Sequence, residues 1–209
     1  MATYCLICLY TGKNIFMGKK SKYNLVWIDC EMTGLDVEKE VIIEIAILIT
    51  DSELNVLEEG PCIAIHQRNE ILDKMDEWNT KHHNESGLVK RVQQSLIDEA
   101  EAEKRTLDFV KKYCPKGTSP LCGNSIQQDR KFLHKYMRGL HEYFHYRSVD
   151  VTSVKELVTR WYPTGPKSPK KSQEHVAMVD IRESLQELIF YRKNYFIPQE
   201  SEIPASKAI

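Results

Sequence analysis

Residues 24–34, with the sequence NLVWIDCEMTG, constrain this chain more than any other stretch. The apolar, partly β-branched run at 25–28 is typical of a central strand that is buried on both faces. Asp29 and Glu31 follow it, two residues apart, before a Thr-Gly turn. Because side chains alternate along a strand, both carboxylates point to the same face. Like charges there repel each other and are costly to desolvate, and a cation between them removes both costs.

The chemistry of this pair limits which cation could bind. Carboxylates offer oxygen ligands, which suit Mg²⁺ or Mn²⁺ better than Zn²⁺. The alternative is that Asp29 and Glu31 extend into solvent at the end of the strand, and an isolated Asp-x-Glu pattern does not exclude it. The choice depends on the rest of the chain.

Two more carboxylates occupy positions where an apolar side chain is expected. Asp129 lies on the apolar stripe of the helix that follows a Gly-Asn-Ser turn, and Asp180 lies on the stripe of the last helix, at about 175–194. A buried carboxylate needs a partner. With the Asp-x-Glu pair they make four such anomalies in one small domain, and a shared cation explains all of them together.

His175 stands five residues before Asp180, at the N-terminus of the predicted last helix. Lone histidines are more often structural or exposed than catalytic. Here, however, the positive end of the helix dipole favours the neutral imidazole, which is the form that a general base needs near pH 7. We therefore expect His175 to act as a base.

The order of apolar patterns predicts an α/β domain that begins with an antiparallel meander of three strands. Strands are expected at 24–32, 41–50, 56–65, 119–122 and 146–151, and helices at 70–86, 88–94, 100–113, 126–136, 152–161 and 175–194. The second strand contains one anomaly, Glu44, in an otherwise apolar run.

Length and charge bound the classes of function. A chain of 209 residues suits one α/β domain, and a net charge of −1 argues against a protein that grips long nucleic acid through many phosphate contacts. No apolar run reaches the roughly 18 residues of a membrane span. The six cysteines follow no disulfide-framework spacing, which favours a reducing compartment.

The ends of the chain differ from the domain between them. Residues 1–22 are basic and lack acidic side chains, which fits a flexible leader or a mitochondrial targeting segment, although they contain no arginine. Residues 197–209 read as a disordered tail. We therefore expect a domain at 23–196 in an intracellular protein of the mitochondrion, the cytoplasm or both.

The order Asp-x-Glu, then Asp, then His-x-x-x-x-Asp resembles the DEDDh group of 3′→5′ exonucleases. Four segments are similar to oligoribonucleases within that group: WIDCEMTGL at 27–35, GNSI at 123–126, YFHYR at 143–147 and DIRES at 180–184. The resemblance covers about 24–195. Val176 and Val179 depart from it, because the family usually has polar or acidic residues there, which puts substrate preference or rate in question.

The resemblance implies a ribonuclease H-like mixed sheet flanked by helices. It also implies a homodimeric 3′→5′ exoribonuclease that degrades short RNA, dinucleotides above all, to 5′-mononucleotides with two divalent cations, Mg²⁺ or Mn²⁺. The metal ligands would be Asp29, Glu31, Asp129 and Asp180. His175 would take a proton from the attacking water.

The same resemblance implies six substrate-binding residues: Leu35, Trp78, His83, Ser125, Tyr146 and Arg147. Leu35 matches a wedge between the two bases, and Trp78 matches an aromatic wall of the pocket. Ser125 and His83 match a cap on the 5′ phosphate, to which the partner subunit would lend the tyrosine and the arginine. Alternatively, Leu35 and Trp78 are ordinary core residues and His83 is simply exposed.

Two other functions compete with this interpretation. One is a DEDDh exonuclease that acts on longer DNA or RNA 3′ ends, which the near-neutral charge and the four matching segments disfavour. The other is a catalytically silent nucleotide-binding module. The presence of all five motif residues argues against a silent protein.

Overall fold

The protein is described here by a computed structural model that covers residues 20–170, 172 and 176–197. Its strands are β1 (Leu25–Met32), β2 (Ile42–Thr50), β3 (Val56–Ala64), β4 (Leu121–Gly123) and β5 (Ser148–Asp150). They form one five-stranded sheet in the order β3-β2-β1-β4-β5. The first three strands are antiparallel neighbours, whereas β4 and β5 run parallel to β1. The predicted meander and mixed sheet are confirmed.

The helices pack on both faces of this sheet. They are α1 (Asn69–Leu72), α2 (Glu77–Glu85), α3 (Leu88–Gln94), α4 (Glu99–Tyr113), α5 (Gln127–Tyr136), α6 (Arg138–His141), α7 (Val151–Trp161) and α8 (Ala177–Tyr195). The single helix predicted at 70–86 is wrong, because the Asp76 side chain accepts from the Asn79 N–H and starts a new helix there. The short α6 was not predicted from the sequence.

The alternation of side chains along β1 decides what each face of the sheet carries. Val26 and Ile28 are buried against residues of α4, α5 and α6, whereas Trp27 is buried against α7 and α8. Asp29 and Glu31 continue the pattern of Trp27. The carboxylates of β1 therefore face the side of the sheet on which α8 lies.

The ends of the chain fall largely outside the described residues. The predicted leader at 1–22 and the tail at 197–209 therefore stay predictions, together with the domain limits drawn between them. Within the described part of the chain, no helix combines the length and the apolar character needed to cross a membrane.

A buried hydrogen bond between β1 and β2 offers a test of how the sheet is stabilised. The Trp27 indole N–H donates to the Thr50 hydroxyl at 3.1 Å, and both side chains are fully buried. Thr50→Val keeps the shape but leaves the indole without this acceptor. We expect the free energy of unfolding to fall by about 1–3 kcal/mol in urea denaturation.

A matched control lies in α4. Thr106 is also buried, and among the described residues its hydroxyl has no hydrogen-bond partner. Thr106→Val should therefore be neutral or stabilising. Equal losses in the two variants would show that the indole hydrogen bond is not what Thr50 contributes.

Candidate active site

Three carboxylates meet at the end of β1 and the start of α8. Asp29 and Glu31 belong to β1 and Asp180 to the first turn of α8. One oxygen from each can be chosen so that all three lie within 4.8 Å of one another, and all three residues are half-buried. Oxygen donors in this number and spacing are suited to a hard divalent cation. The cluster therefore has the chemistry of a metal site.

Asp129, the fourth carboxylate of the sequence motif, lies beside this cluster and is tied to the β1 backbone. It is buried on the inner side of α5, as its helical stripe predicted. Its Oδ1 accepts a hydrogen bond of 2.9 Å from the backbone N–H of Cys30, the residue between Asp29 and Glu31. Burial of the carboxylate raises the pKa of Asp129, although this N–H opposes the rise. Its role as a metal ligand stays a prediction.

The loop after β1 carries Leu35 on the surface, where 74% of the residue is exposed. The interpretation of Leu35 as a core residue is therefore wrong. Three side chains of α5 hold this loop by its carbonyl groups: Gln128 donates to Leu35, Lys135 to Val37 and Tyr136 to Glu40, each at 2.6 Å. The helix that carries Asp129 thus also fixes the loop that carries Leu35.

The two predicted pocket residues of α2 differ in their surroundings. Trp78 is 54% exposed and stacks on His82 with ring centroids 4.0 Å apart, so it too is not a core residue. His83 is 1% exposed, which makes the interpretation of an exposed histidine wrong. Its Nε2 is hydrogen-bonded to the Met32 carbonyl at 3.0 Å. His83 therefore holds the end of β1 in the described chain, and its contact with a phosphate stays a prediction.

The remaining candidates for substrate binding lie on exposed turns. Ser125 has a positive φ of 50°, and its N–H lies within hydrogen-bond distance of Asp150 Oδ1 and Thr152 Oγ1, at 3.0 and 2.9 Å. Tyr146 and Arg147 are exposed before β5, where the arginine Nε donates to the tyrosine hydroxyl at 3.1 Å. Their contacts with a substrate or a partner subunit stay predictions. His175 lies outside the described residues.

Comparison with known proteins now identifies the family. A protein-family model described as exonuclease matches residues 26–188. The oligoribonuclease of Pseudomonas entomophila is 56% identical over 172 residues, which are 82% of this chain and 96% of that protein. The oligoribonuclease of Shewanella oneidensis is 56% identical over 173 residues, which are 83% of this chain and 96% of that protein. The chain belongs to the oligoribonuclease family.

A solved structure shows the same fold in a larger protein. It is Escherichia coli exonuclease I, in the zinc-bound form of its complex with single-stranded DNA, and it superposes with a TM-score of 0.64 at 14% identity. The match covers 84% of this chain and 41% of exonuclease I. Family and fold together confirm three predictions made from the sequence: an oligoribonuclease-type enzyme, a ribonuclease H-like sheet and 3′→5′ exoribonuclease activity.

In the absence of a cation, the carboxylates of this cluster lie in an electrostatically unfavourable environment. The pKa of Glu31 is raised from its ordinary value of 4.5 to about 8, first by burial and then by the charges of Asp180, Glu44 and Asp129. The guanidinium of Arg91 opposes this rise. Burial and the neighbouring negative charges thus both disfavour the charged form of Glu31, and a bound divalent cation would relieve this. The residues therefore fit a metal.

Sequence reasoning missed Arg91 as a residue of this region. Arg91 Nη2 donates to Glu44 Oε1 at 2.8 Å, and Glu44 is opposite Glu31 in the register of β1 and β2. A signal for it was present, because a carboxylate inside a wholly buried strand requires a cation nearby. The sequence did not identify which basic side chain would pair with Glu44, since Arg91 and Glu44 are 47 positions apart.

The raised pKa of Glu31 predicts a pH dependence of stability without metal. Between about pH 4.5 and pH 8 the unfolded chain has lost this proton while the folded chain still holds it. Stability should therefore fall as the pH rises through that window. Glu31→Gln should remove the loss, so that in EDTA the variant exceeds the wild type by about 1–3 kcal/mol at pH 8.5 and differs little at pH 4.

Urea denaturation across this pH range measures the effect. Glu70→Gln, which changes an exposed glutamate, is the control and should leave the pH profile of the wild type unchanged. A Glu31→Gln profile parallel to that of the wild type would contradict the assignment of the strain to Glu31.

Proposed function

We propose that this chain degrades very short RNAs from the 3′ end, finishing with dinucleotides, and releases 5′-mononucleotides. One observation carries the proposal: Asp29, Glu31 and Asp180 converge to within 4.8 Å, in a chain of the oligoribonuclease family. The three carboxylates supply the negatively charged oxygen donors that the family motif describes. Hydrolysis of a phosphodiester is the reaction that such a site supports.

We infer that the enzyme uses two divalent cations, Mg²⁺ or Mn²⁺, which the three clustered carboxylates and Asp129 would hold. Support comes from the all-oxygen donor set and from the raised pKa of Glu31. When bound, two such ions provide Lewis-acid activation of a water and stabilisation of charge on the phosphate. The N–H of Cys30, which donates to Asp129, would keep this carboxylate in place to hold them.

The proposed general base is His175, which accepts the proton of the attacking water. It stands two residues before α8 begins at Ala177 and five before Asp180. The positive end of the helix dipole favours the neutral imidazole that can accept this proton.

The preference for short substrates is supported by the exposure of three predicted binding residues. Leu35 and Trp78 expose apolar side chains that can contact bases, and Arg147 offers a planar fork of donors suited to a terminal phosphate. A pocket for two nucleotides needs few phosphate contacts, which agrees with the net charge of −1. The longer-substrate alternative gains no support from this charge.

The partner and the compartment form the last part of the proposal. We infer a homodimer, in which Tyr146 and Arg147 of one subunit cap the substrate held by the other, from the exposure of both side chains and from the family motif that they match. The compartment stays a prediction of the mitochondrion, the cytoplasm or both, since residues 1–19 lie outside the described chain.

The first test follows the products of end-labelled RNAs of two to ten nucleotides in Mg²⁺, in Mn²⁺ and in EDTA. We expect turnover with either metal, none in EDTA, and the highest kcat/KM for the dinucleotide. Asp29→Asn should abolish turnover in a folded protein, because it removes a metal ligand and a charge. The control Asp73→Asn changes an exposed residue outside the site and should keep wild-type rates.

His175→Ala belongs to the same experiment. It should lower kcat by about 10²–10⁴-fold, the usual contribution of a general base, and preserve dinucleotide binding in Ca²⁺. Near-normal turnover in Asp29→Asn would refute the metal site. Lost binding with an unchanged kcat in His175→Ala would refute the base.

The second test concerns the 5′ phosphate. If Arg147 caps it, a 5′-phosphorylated dinucleotide should bind more tightly than its 5′-hydroxyl counterpart by about 1.5–3 kcal/mol, the scale of a hydrogen bond to a charged group. Arg147→Ala should erase most of this gap. Competition titrations in Ca²⁺ with two-, three- and seven-nucleotide RNAs measure it.

The control for the second test is Arg138→Ala, which removes an exposed arginine that forms an ion pair with Glu142 on the surface of the chain. It should leave the preference for the phosphate intact. Affinities that are equal across lengths and indifferent to the phosphate and to Arg147 would favour the exonuclease of longer 3′ ends instead.

A further inference from the structure

Glu44 is a buried carboxylate that has no role in the proposed reaction. It lies in the middle of the sheet in β2, all of whose residues are buried, and only 1% of it is exposed. Its two oxygens have different partners. Oε1 accepts from Arg91 at 2.8 Å, and Oε2 accepts from the backbone N–H of Ala177 at 3.4 Å. Glu44 thus connects α3 to the first residue of α8.

The N-terminal end of α8 carries Asp180, a candidate metal ligand. The first N–H groups of a helix have no partner within the helix, and Val176, the N-cap residue, has no polar side chain to offer. Glu44 supplies an acceptor from a neighbouring strand, and a negative charge is favourable at this end of the helix dipole. Asp180 lies in the first turn of the same helix. The position of Glu44 therefore bears on the position of Asp180.

Stability alone gives a poor account of a glutamate at this place. Glu44 is directly opposite Glu31 in the register of β1 and β2, and two carboxylates placed in this way repel each other. A buried ion pair is often no more stabilising than apolar residues of the same volume. An apolar side chain at position 44 would avoid the repulsion altogether. What it could not do is hold the N-terminus of α8 and the side chain of Arg91 at the same time.

We propose that Glu44 and Arg91 form a positioning pair, in which Glu44 fixes the first turn of α8 so that Asp180 faces the carboxylates of β1, and Arg91 fixes Glu44. Neither residue is among the proposed metal ligands or substrate-binding residues. The inference rests on the proposed function to the extent that the cluster of Asp29, Glu31 and Asp180 binds divalent cations.

The test is calorimetric titration of the full chain with Mn²⁺ alone, without RNA. In Glu44→Gln the amide turns its oxygen towards one of the two donors, Ala177 N–H or Arg91, and its NH2 group, which can only donate, towards the other, so one of the two contacts is lost. We expect the affinity for Mn²⁺ to fall about 10–100-fold, the usual effect of changing a residue that orients metal ligands. Circular dichroism checks that the variant is folded at the temperature of the titration.

Arg91 provides the second variant, because its side chain is 41% exposed and its replacement opens no cavity in the core; circular dichroism checks its folding as well. Arg91→Gln should also weaken Mn²⁺ binding, and Arg91→Lys should recover part of the loss. The double variant with Glu44→Gln should bind Mn²⁺ about as well as Glu44→Gln alone, since the two residues act as a unit.

Glu53→Gln is the matched control. It breaks another ion pair to α8, with Arg192, but at the opposite end of the helix from Asp180. It should keep the affinity for Mn²⁺ within about twofold, because a distant contact adds independently. An equal loss in Glu53→Gln would mean that any anchor of α8 suffices, and would overturn the specific role of Glu44.

The outcomes separate this inference from the function on which it rests. Wild-type affinity for Mn²⁺ in folded Glu44→Gln and Arg91→Gln would overturn the positioning pair and leave the metal site standing. A wild-type chain that binds no Mn²⁺ would instead overturn the metal site, and the positioning pair with it.

Discussion

The mutual repulsion of carboxylates on one face of β1 is the constraint on which the rest of the structure depends. Asp29 and Glu31 point to that face together, and α8 brings Asp180 to within 4.8 Å of them. The pKa of Glu31 is raised to about 8, first by burial and then by the charges of its acidic neighbours. The fold has to hold the carboxylates together against this repulsion.

Apolar packing between α8 and the sheet is what opposes the repulsion. Trp27, Ile181 and Leu185 are buried in one cluster beneath the acidic residues. Burial of a single side chain of this size contributes about 1.5–3 kcal/mol, so several of them outweigh a repulsion of a few kcal/mol. The order of residues along α8 follows from this balance, because Asp180 is adjacent to Ile181, which anchors the same turn.

The parts of the fold that sequence reasoning predicted are those that depend on local periodicity. The three long strands and the stripes of α5 and α8 repeat apolar residues at a fixed spacing, so Asp29, Glu31, Asp129 and Asp180 stood out as exceptions. The break between α1 and α2 did not stand out, because a single Asp76 side chain makes it. The contact of Arg91 with Glu44 and the burial of His83 depend on distant segments, which no local pattern encodes.

The three hydrogen bonds from α5 to the loop of Leu35 have a consequence for how such an enzyme can change over evolution. Asp129 and the three side chains that support the loop belong to one helix, so the exposed loop of Leu35 and a buried carboxylate of the acidic motif are held by the same element. A substitution that reshaped the loop by shifting α5 would therefore also displace Asp129 from the backbone of β1. The two features are coupled through one helix and cannot vary independently.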